Sequence, residues 1–164
     1  MDVTVRRAVA EDIGPMADVI AAVAPEGVLG TEPPVDVETV RERFRDTVTD
    51  DGPAAMWVAA AGGVVVGQIG LHPAPAPGVM AIGMALRPDA RGRGIGRALL
   101  DAAVAHAREA GAHKVELEVW PDNARAIALY TAAGFEVEGV RRRHYRRRDG
   151  SLRSTLLMAV HLPG

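Results

Sequence analysis

The run Arg91, Gly92, Arg93, Gly94, Ile95, Gly96, Arg97 constrains this chain more than any other segment. Before it lies a nearly continuous apolar stretch, residues 79–86; after it, residues 95–110 are alanine-rich with helical spacing and are closed by Gly111. Next comes an alternating stretch in which Val115, Leu117 and Val119 are interleaved with Lys114, Glu116 and Glu118. A strand that hands over to a helix and then to another strand must cross over, so the two strands lie parallel. The loop has chemistry as well as topology. Glycines let several backbone N–H groups face one point, the helix start adds partial positive charge, and the arginines add full charge. That is a seat for a pyrophosphate. The plainer alternative is a solvated basic turn. No Gly-Lys-Ser/Thr follows, which excludes a Walker loop, and Arg97 stands where a dinucleotide fingerprint needs its third glycine.

The remaining segments assemble around this unit. Val3, Val5 and Arg7 alternate with Thr4 and Arg6 as a first strand. Asp12 is placed to cap a helix that has Pro15 in its first turn and continues through Met16, Val19, Ile20 and Val23. Residues 25–34 form a Gly/Pro-rich loop. A second helix starts near Asp36, with Val37, Val40, Phe44 and Val48 as its buried stripe. A turn is expected at residues 50–53. Residues 55–61 and 64–71 form a hairpin about Gly62-Gly63. A helix over residues 123–133 ends at Gly134, and two last strands begin at Phe135 and Leu152, flanking the Asp149-Gly150 turn. The order β-α-α-β-β-β-α-β-α-β-β predicts an α/β (α+β) fold. It is a mixed, twisted sheet of about seven strands with helices on both faces, in one domain over residues 1–164.

Composition narrows the function classes. The 164 residues carry a net charge of −2 and no cysteine, so disulfides and thiolate metal sites do not apply. The five histidines are scattered, and none forms an i, i+4 pair; no metal is expected. There is no run of about 18 apolar residues and no signal-like N-terminus, so no membrane is expected and the cytoplasm is the expected compartment.

Two spaced signatures carry a resemblance. Arg91, Gly94 and Gly96 match a loop of the form Arg/Gln, two residues, Gly, one residue, Gly/Ala. Asn123, Ala126, Tyr130, Gly134 and Phe135 match a second pattern downstream. Together the chain resembles the GNAT superfamily of acyl-CoA-dependent N-acetyltransferases, most strongly from Met84 to Phe135 and weakly before Ala55. The resemblance implies acetyl-CoA as cosubstrate, lying in a V-shaped gap between two splayed parallel strands. Main-chain groups of Met84 and Leu86 would hold its pantetheine arm in the manner of an added strand. Arg91, Gly92, Arg93, Gly94, Ile95, Gly96 and Arg97 would hold its diphosphate. Asn123 would reach the pantetheine and Tyr130 the sulfur; on a helix the two project from one face, roughly 10 Å apart along the axis. Asn123 also reads as a helix cap, and Tyr130 as a half-buried core ring.

Amine attack on a thioester needs proton transfers. An alkylammonium, with a pKa of about 10, must first lose a proton to a base, and a departing thiolate, about 8.5, benefits from an acid. Tyr130 is the acid candidate. Glu118, five residues before Asn123, is the base candidate, as in family members that modify a ribosomal protein's N-terminus. Glu116, His72 and water are the alternatives. The loop at residues 26–34 is similar to that of family members acting on amino-acid-like molecules such as a herbicide-type glutamate analogue. The acceptor class stays open: an amine-bearing small molecule or a peptide N-terminus. The family also implies a homodimer. Six arginines at residues 141–148 read first as a solvated edge strand, second as a substrate rim and third as a nucleic-acid patch. A non-catalytic module that binds an acyl-CoA or RNA is the competing function.

Overall fold

The computed structural model describes residues 2–49 and 51–163. Asp50, the first residue of an expected turn, lies outside the described residues, as do Met1 and Gly164. The elements follow as β1 (Val3–Arg7), α1 (Ile13–Val23), α2 (Val37–Val48), β2 (Ala55–Ala61), β3 (Val64–Pro73), β4 (Val79–Leu86), α3 (Ile95–Glu109), β5 (Lys114–Val119), α4 (Ala124–Ala132), β6 (Glu136–Arg146) and β7 (Leu152–His161). This is the expected order of strands and helices. The seven strands form one sheet in the order β1-β2-β3-β4-β5-β7-β6. Every neighbouring pair is antiparallel except β4 and β5, which the α3 crossover makes parallel.

Each face of the sheet buries its own apolar cluster. Under α1 and α2 lie Met16, Val19, Ile20, Val40 and Phe44 with Met56, Val58 and Ala85 of the strands. Under α3 and α4 lie Leu99, Leu100, Tyr130 and Phe135 with Ile69, Leu71, Ile82, Leu117 and Val119. Burying side chains such as Leu99, Leu100 and Phe135 contributes roughly 1.5–3 kcal/mol each. Of the expected α2 stripe, Val40 and Phe44 are buried, while Val37 and Val48 are only partly so.

One local expectation is corrected. Asp12 does not cap α1 with its side chain, because a 3₁₀ turn at Ala10–Asp12 precedes the helix and leaves Asp12 already in helical conformation. Its buried carboxylate turns back instead, accepting from the Val9 N–H at 2.8 Å and from both Arg6 guanidinium nitrogens at 2.7 and 2.9 Å. Arg6, and then the Val9 N–H, hold the Asp12 carboxyl below the usual range against the opposing effect of burial. The pair fastens β1 to the start of α1. No helix among the described residues is long and apolar enough to cross a membrane.

Candidate functional site

The parallel pair at the centre of the sheet is short. β4 and β5 are in register only at Val79–Lys114, Met80–Val115 and Ala81–Glu116. Beyond that each strand follows its other neighbour: β4 stays with β3 as far as Leu86, and β5 stays with β7 as far as Val119. Residues 82–86 and 117–119 therefore face each other across a gap. The Arg87 N–H donates to the Val66 carbonyl at 2.9 Å, on the β3 side. By strand alternation, Met84 and Leu86 turn their N–H and C=O groups the other way, into the gap. Both residues line the cavity there, about 960 Å³ in volume.

Strand register shows which side chains emerge on which face. Gln68 is opposite Val58 and Ala85, both in the cluster beneath α1 and α2, so Gln68 and His72 point to that face. Ala81 is beside Glu116, which places Glu116, Glu118 and Trp120 on the same face; Thr155 joins them, because Leu157 is opposite Glu118. Ile82, Met84, Leu86 and Val119 emerge on the opposite face, where Gly96 of α3 and Tyr130 of α4 close the cavity. The cavity thus passes through the sheet, with an α3/α4 side and an α1/α2 side.

The α3/α4 side is built from the glycine–arginine loop. Gly92 and Gly94 have φ of 75° and 77°, the left-handed region in which a side chain is strained. Gly94 stands at the N-cap of α3, and the first intrahelical bond is donated by Ala98. The N–H groups of Ile95, Gly96 and Arg97 are left for an external acceptor, at the positive end of the helix dipole. Gly96 is small for a packing reason: a Cβ there would lie 3.1 Å from Leu129 Cδ2.

Two of the three loop arginines have partners within the protein. The Arg91 guanidinium forms a bidentate pair with Glu26 at 2.8 and 2.7 Å and donates through Nε to the Leu86 carbonyl at 3.2 Å. Hydrogen bonding to Arg91 lowers the Glu26 pKa, and the same bond raises that of Arg91. Arg97 is held by Asp101 at 2.9 Å and by the Ala132 carbonyl at 3.3 Å. Both guanidiniums brace the loop in this structure. Among the described residues, the side chain of Arg93 has no protein partner and is exposed. An unpaired strand edge and a helix start with free N–H groups fit the amides and the diphosphate of a coenzyme A arm.

Asn123 caps α4, its Oδ1 accepting from the Ala126 N–H at 3.3 Å, and also lines the cavity. Tyr130 is 7 % exposed, tilted against Phe135 at 5.8 Å between ring centroids. Burial pushes its phenol up to about 12, so it keeps its proton throughout the neutral range.

On the α1/α2 side, Glu118 is not a free carboxylate. It accepts a short hydrogen bond from the Tyr145 hydroxyl and pairs with Arg141 at 3.0 Å. Burial, followed by the bond to Glu118, raises the Tyr145 pKa. His72 lines the cavity, and desolvation, with Arg43 as second cause, lowers its pKa, which favours the neutral imidazole. Glu116 lies in the still-paired part of β5, beside Ala81, and does not reach the cavity wall.

The arginine cluster divides. Arg142, Arg143 and Arg146 are exposed on edge strand β6, as a solvated edge requires. Arg147 and Arg148 are not solvated bystanders. Arg147 donates to the Gly30 and Leu29 carbonyls at 3.0 and 3.5 Å; Arg148 donates to the Pro33 carbonyl at 2.6 Å. Arg153 adds a bond to the Gly27 carbonyl at 3.0 Å, and Trp120 Nε1 one to Leu29 at 3.3 Å. The guanidiniums of Arg153 and Arg147 lie 4.2 and 5.1 Å from the Trp120 ring centroid. This clamp holds the loop between α1 and α2 by its carbonyls and presents Val28, Leu29, Gly30 and Thr31 to the cavity.

Two further residues lacked any chemical motif in the sequence. Gln68 and Thr155 are each 3 % exposed and line the cavity, yet Gln68 Oε1 and Thr155 Oγ1 have no hydrogen-bond partner among the described residues. A buried polar atom left so costs roughly 1–3 kcal/mol. Their signal was a polar residue inside an otherwise apolar strand, as in Val-Val-Val-Gly-Gln-Ile-Gly-Leu.

Comparison with known proteins agrees with this geometry. The profile described as "Acetyltransferase (GNAT) family" matches residues 23–135. A mycothiol acetyltransferase of Geodermatophilus obscurus is 36% identical over 99 residues, 57% of this chain and 32% of that protein. The ribosomal protein bS18-alanine N-acetyltransferase of Escherichia coli K12 is 38% identical over 77 residues, 47% of this chain and 51% of that protein. The chain thus spans from about a third to about half the length of these curated relatives. Among solved structures, the ribosomal-protein-alanine N-acetyltransferase of Brucella melitensis has a TM-score of 0.86 at 26% identity, covering 97% of this chain and 99% of that one. A phosphinothricin acetyltransferase of Sinorhizobium meliloti, solved in complex with AcCoA, has a TM-score of 0.84 at 26% identity, covering 99% and 89%.

Proposed function

Because the chain belongs to the acetyltransferase (GNAT) family, we propose that it transfers an acetyl group from acetyl-CoA to a primary amine of a small molecule or a peptide N-terminus. The observation that carries this reading is the cavity through the sheet, with an unpaired strand edge on one side and polar side chains on the other. Acetyl-CoA supplies an activated thioester carbonyl. The main-chain groups of Met84 and Leu86 bind the pantetheine amides as an added strand would. The N–H groups at Ile95, Gly96 and Arg97 take the diphosphate, with Gly92 and Gly94 shaping the loop and Arg93 adding charge. Arg91 contributes its main chain and braces the loop. Asn123 sets the start of α4 and faces the pantetheine.

Tyr130 holds a proton for the departing sulfur, and burial ensures that it still carries one at neutral pH. An N–H on the exposed edge near Met84 stabilises the charge that develops on the carbonyl oxygen. Glu118, on the acceptor side, draws the proton from the incoming ammonium, with the Tyr145 hydroxyl bonded to it and lining the same cavity. A second base is favoured by the lowered pKa of His72, which leaves its neutral imidazole able to accept a proton.

Titration calorimetry with acetyl-CoA tests the reading directly: heat release with thermal stabilisation is expected, and neither being seen overturns it. Thiol release with a panel of amines then identifies turnover. Glu118→Gln is expected to lower kcat about 100-fold; a loss of that size in His72→Gln and not in Glu118→Gln transfers the base role to His72. The family reading of a homodimer draws support from Val137 and Val140, exposed on edge strand β6. Sedimentation equilibrium checks it.

A further inference from the structure

We propose that Tyr145 is a catalytic residue that relays the acceptor's proton to Glu118, and that a bulge in β6 holds it in place to do so. This deepens the acetyltransferase reading and rests on it. The Tyr145 hydroxyl donates to Glu118 Oε2, and the Arg141 guanidinium pairs with Glu118 Oε1 at 3.0 Å. Tyr145 and Glu118 both line the cavity. A phenol bonded to a carboxylate has its donor engaged, and its oxygen can still accept. An ammonium entering beside the ring therefore meets an acceptor whose own proton already points at the base. One proton passes from the ammonium nitrogen to Tyr145 Oη as the Tyr145 proton moves to Glu118. The freed lone pair forms the N–C bond, and the C–S bond breaks. The excess proton left on nitrogen replaces the one that Tyr130 gives the sulfur. Glu118 then returns its proton to solvent. Burial, followed by the bond to Glu118, raises the Tyr145 pKa, so no phenolate stands free at neutral pH.

The placement is built into β6. Arg141 is opposite Thr155 and Tyr145 is opposite Arg153, so four steps on β6 match two on β7. In an unbroken strand residues four apart are separated by roughly 13 Å; two steps span roughly 7 Å. The surplus is taken up over Arg142, Arg143 and His144. Arg143 has a φ of 47°, in the left-handed region, and its N–H donates to Ser154 Oγ at 2.8 Å. That conformation is uncommon for a residue with a side chain, and bulges of this kind re-aim their neighbours. Here the bulge brings Arg141 and Tyr145 close enough for one carboxylate to take both. The Tyr145 ring is fixed edge-on between Trp120, at 5.6 Å between centroids, and His144, at 4.8 Å.

The test uses the intact protein with acetyl-CoA and two acceptor panels of matched shape: alkylamines and alanyl peptides, and their trifluoromethyl analogues. The first panel arrives protonated, with pKa values of about 10 and about 8. Fluorine makes the second panel so weakly basic that it arrives neutral, and only the proton bound for sulfur remains to be moved. Tyr145→Phe keeps the ring and removes only the hydroxyl. It is expected to lower kcat about 100-fold with the first panel and less than about fivefold with the second. The Kd for acetyl-CoA is expected to stay within about twofold, which also reports that the variant folds. A structural role lowers both panels alike; that result overturns the relay, as does an unchanged kcat with the first panel. For the bulge, Arg143→Val and Arg143→Gly remove the same guanidinium, but only glycine adopts a positive φ freely. The valine variant is expected to lose at least about fivefold more in kcat, and equal values overturn the role of the bulge. A parent that binds acetyl-CoA and turns over neither panel overturns the relay together with the primary-amine acceptor. Absence of acetyl-CoA binding in the parent strikes instead at the acetyltransferase reading itself.

Discussion

The two sides of the gap are made in different ways. The α3/α4 side comes from one continuous stretch, from Met84 on β4 through the loop and α3 to Tyr130 on α4. Its features are main-chain features: an open strand edge, positive-φ glycines and a helix start. The α1/α2 side is assembled from segments scattered along the chain: the loop after α1, the body of α2, β3, the end of β5 and the β6–β7 hairpin. Its features are side chains, several of them held in place by the Trp120–Arg147–Arg153 clamp. A site made by local backbone conformation keeps its chemistry while many side chains change. A site made by distant side chains can be re-specified one residue at a time. On the function proposed above, the difference assigns acceptor specificity to the α1/α2 side, whose wall includes a loop pinned by its carbonyls.

The contrast can be broken most forcefully at Tyr130, which closes the α3/α4 side. Tyr130→Phe is expected to reduce kcat at least about 100-fold with little change in either KM, measured by thiol release at saturating substrates. The same variant has a pH signature. The folded-state phenol titrates near 12, above its unfolded value of about 10. Its stabilising contribution is therefore complete below pH 10 and is lost as pH climbs from 10 toward 12. The parent should lose roughly 2–3 kcal/mol over that interval that Tyr130→Phe does not lose, read from urea unfolding at each pH.

Gly96→Val probes the α3/α4 side alone. The added side chain meets Leu129 and the Met84 methyl, whose nearest atoms lie 3.1 and 3.8 Å from a built Cβ. A cost of about 1–3 kcal/mol in stability is expected, with weaker acetyl-CoA binding by calorimetry and the amine preference order unchanged. Arg147→Met is the mirror experiment and the smaller effect. It frees the Gly30 carbonyl, leaves Leu29 held by Trp120 Nε1 alone and removes the guanidinium from the Trp120 ring. The amine KM is expected to rise up to about tenfold, equivalent to about 1.4 kcal/mol, with acetyl-CoA affinity intact. Equal effects of Arg147→Met on both substrates would erase the division between the two sides.

Much of this architecture was legible because it is periodic or motif-bound. The order of strands and helices, the parallel crossover and the helix starting after Gly94 all follow from spacing of apolar residues and from glycine placement. Asn123 and Tyr130 were legible through the family signature, and a fixed helical interval brings both to one cavity. The insertion of β7 between β5 and β6 was not legible, because nothing local in an antiparallel hairpin says which of its strands joins the sheet. The partners of Arg91 and Arg147 were equally hidden: Glu26 lies 65 residues from Arg91, and Gly30 lies 117 from Arg147. Asp12 misled as a cap because the Arg6 side chain competes for the same carboxylate.

By itself the amino-acid order determined a βαβ unit with an anion-ready loop, the family signatures and the mixed sheet around them. Backbone conformation at Gly92 and Gly94 and apolar periodicity act over a few residues, and so can be read along the chain. Tertiary structure alone decided that β4 and β5 part after Ala81 and Glu116, that Arg91 and Arg97 find Glu26 and Asp101 as partners, and that Gln68 and Thr155 are buried with an oxygen unpartnered. Those outcomes depend on which strand claims which neighbour and on which charge reaches a carboxylate first, competitions settled only when the whole sheet is packed.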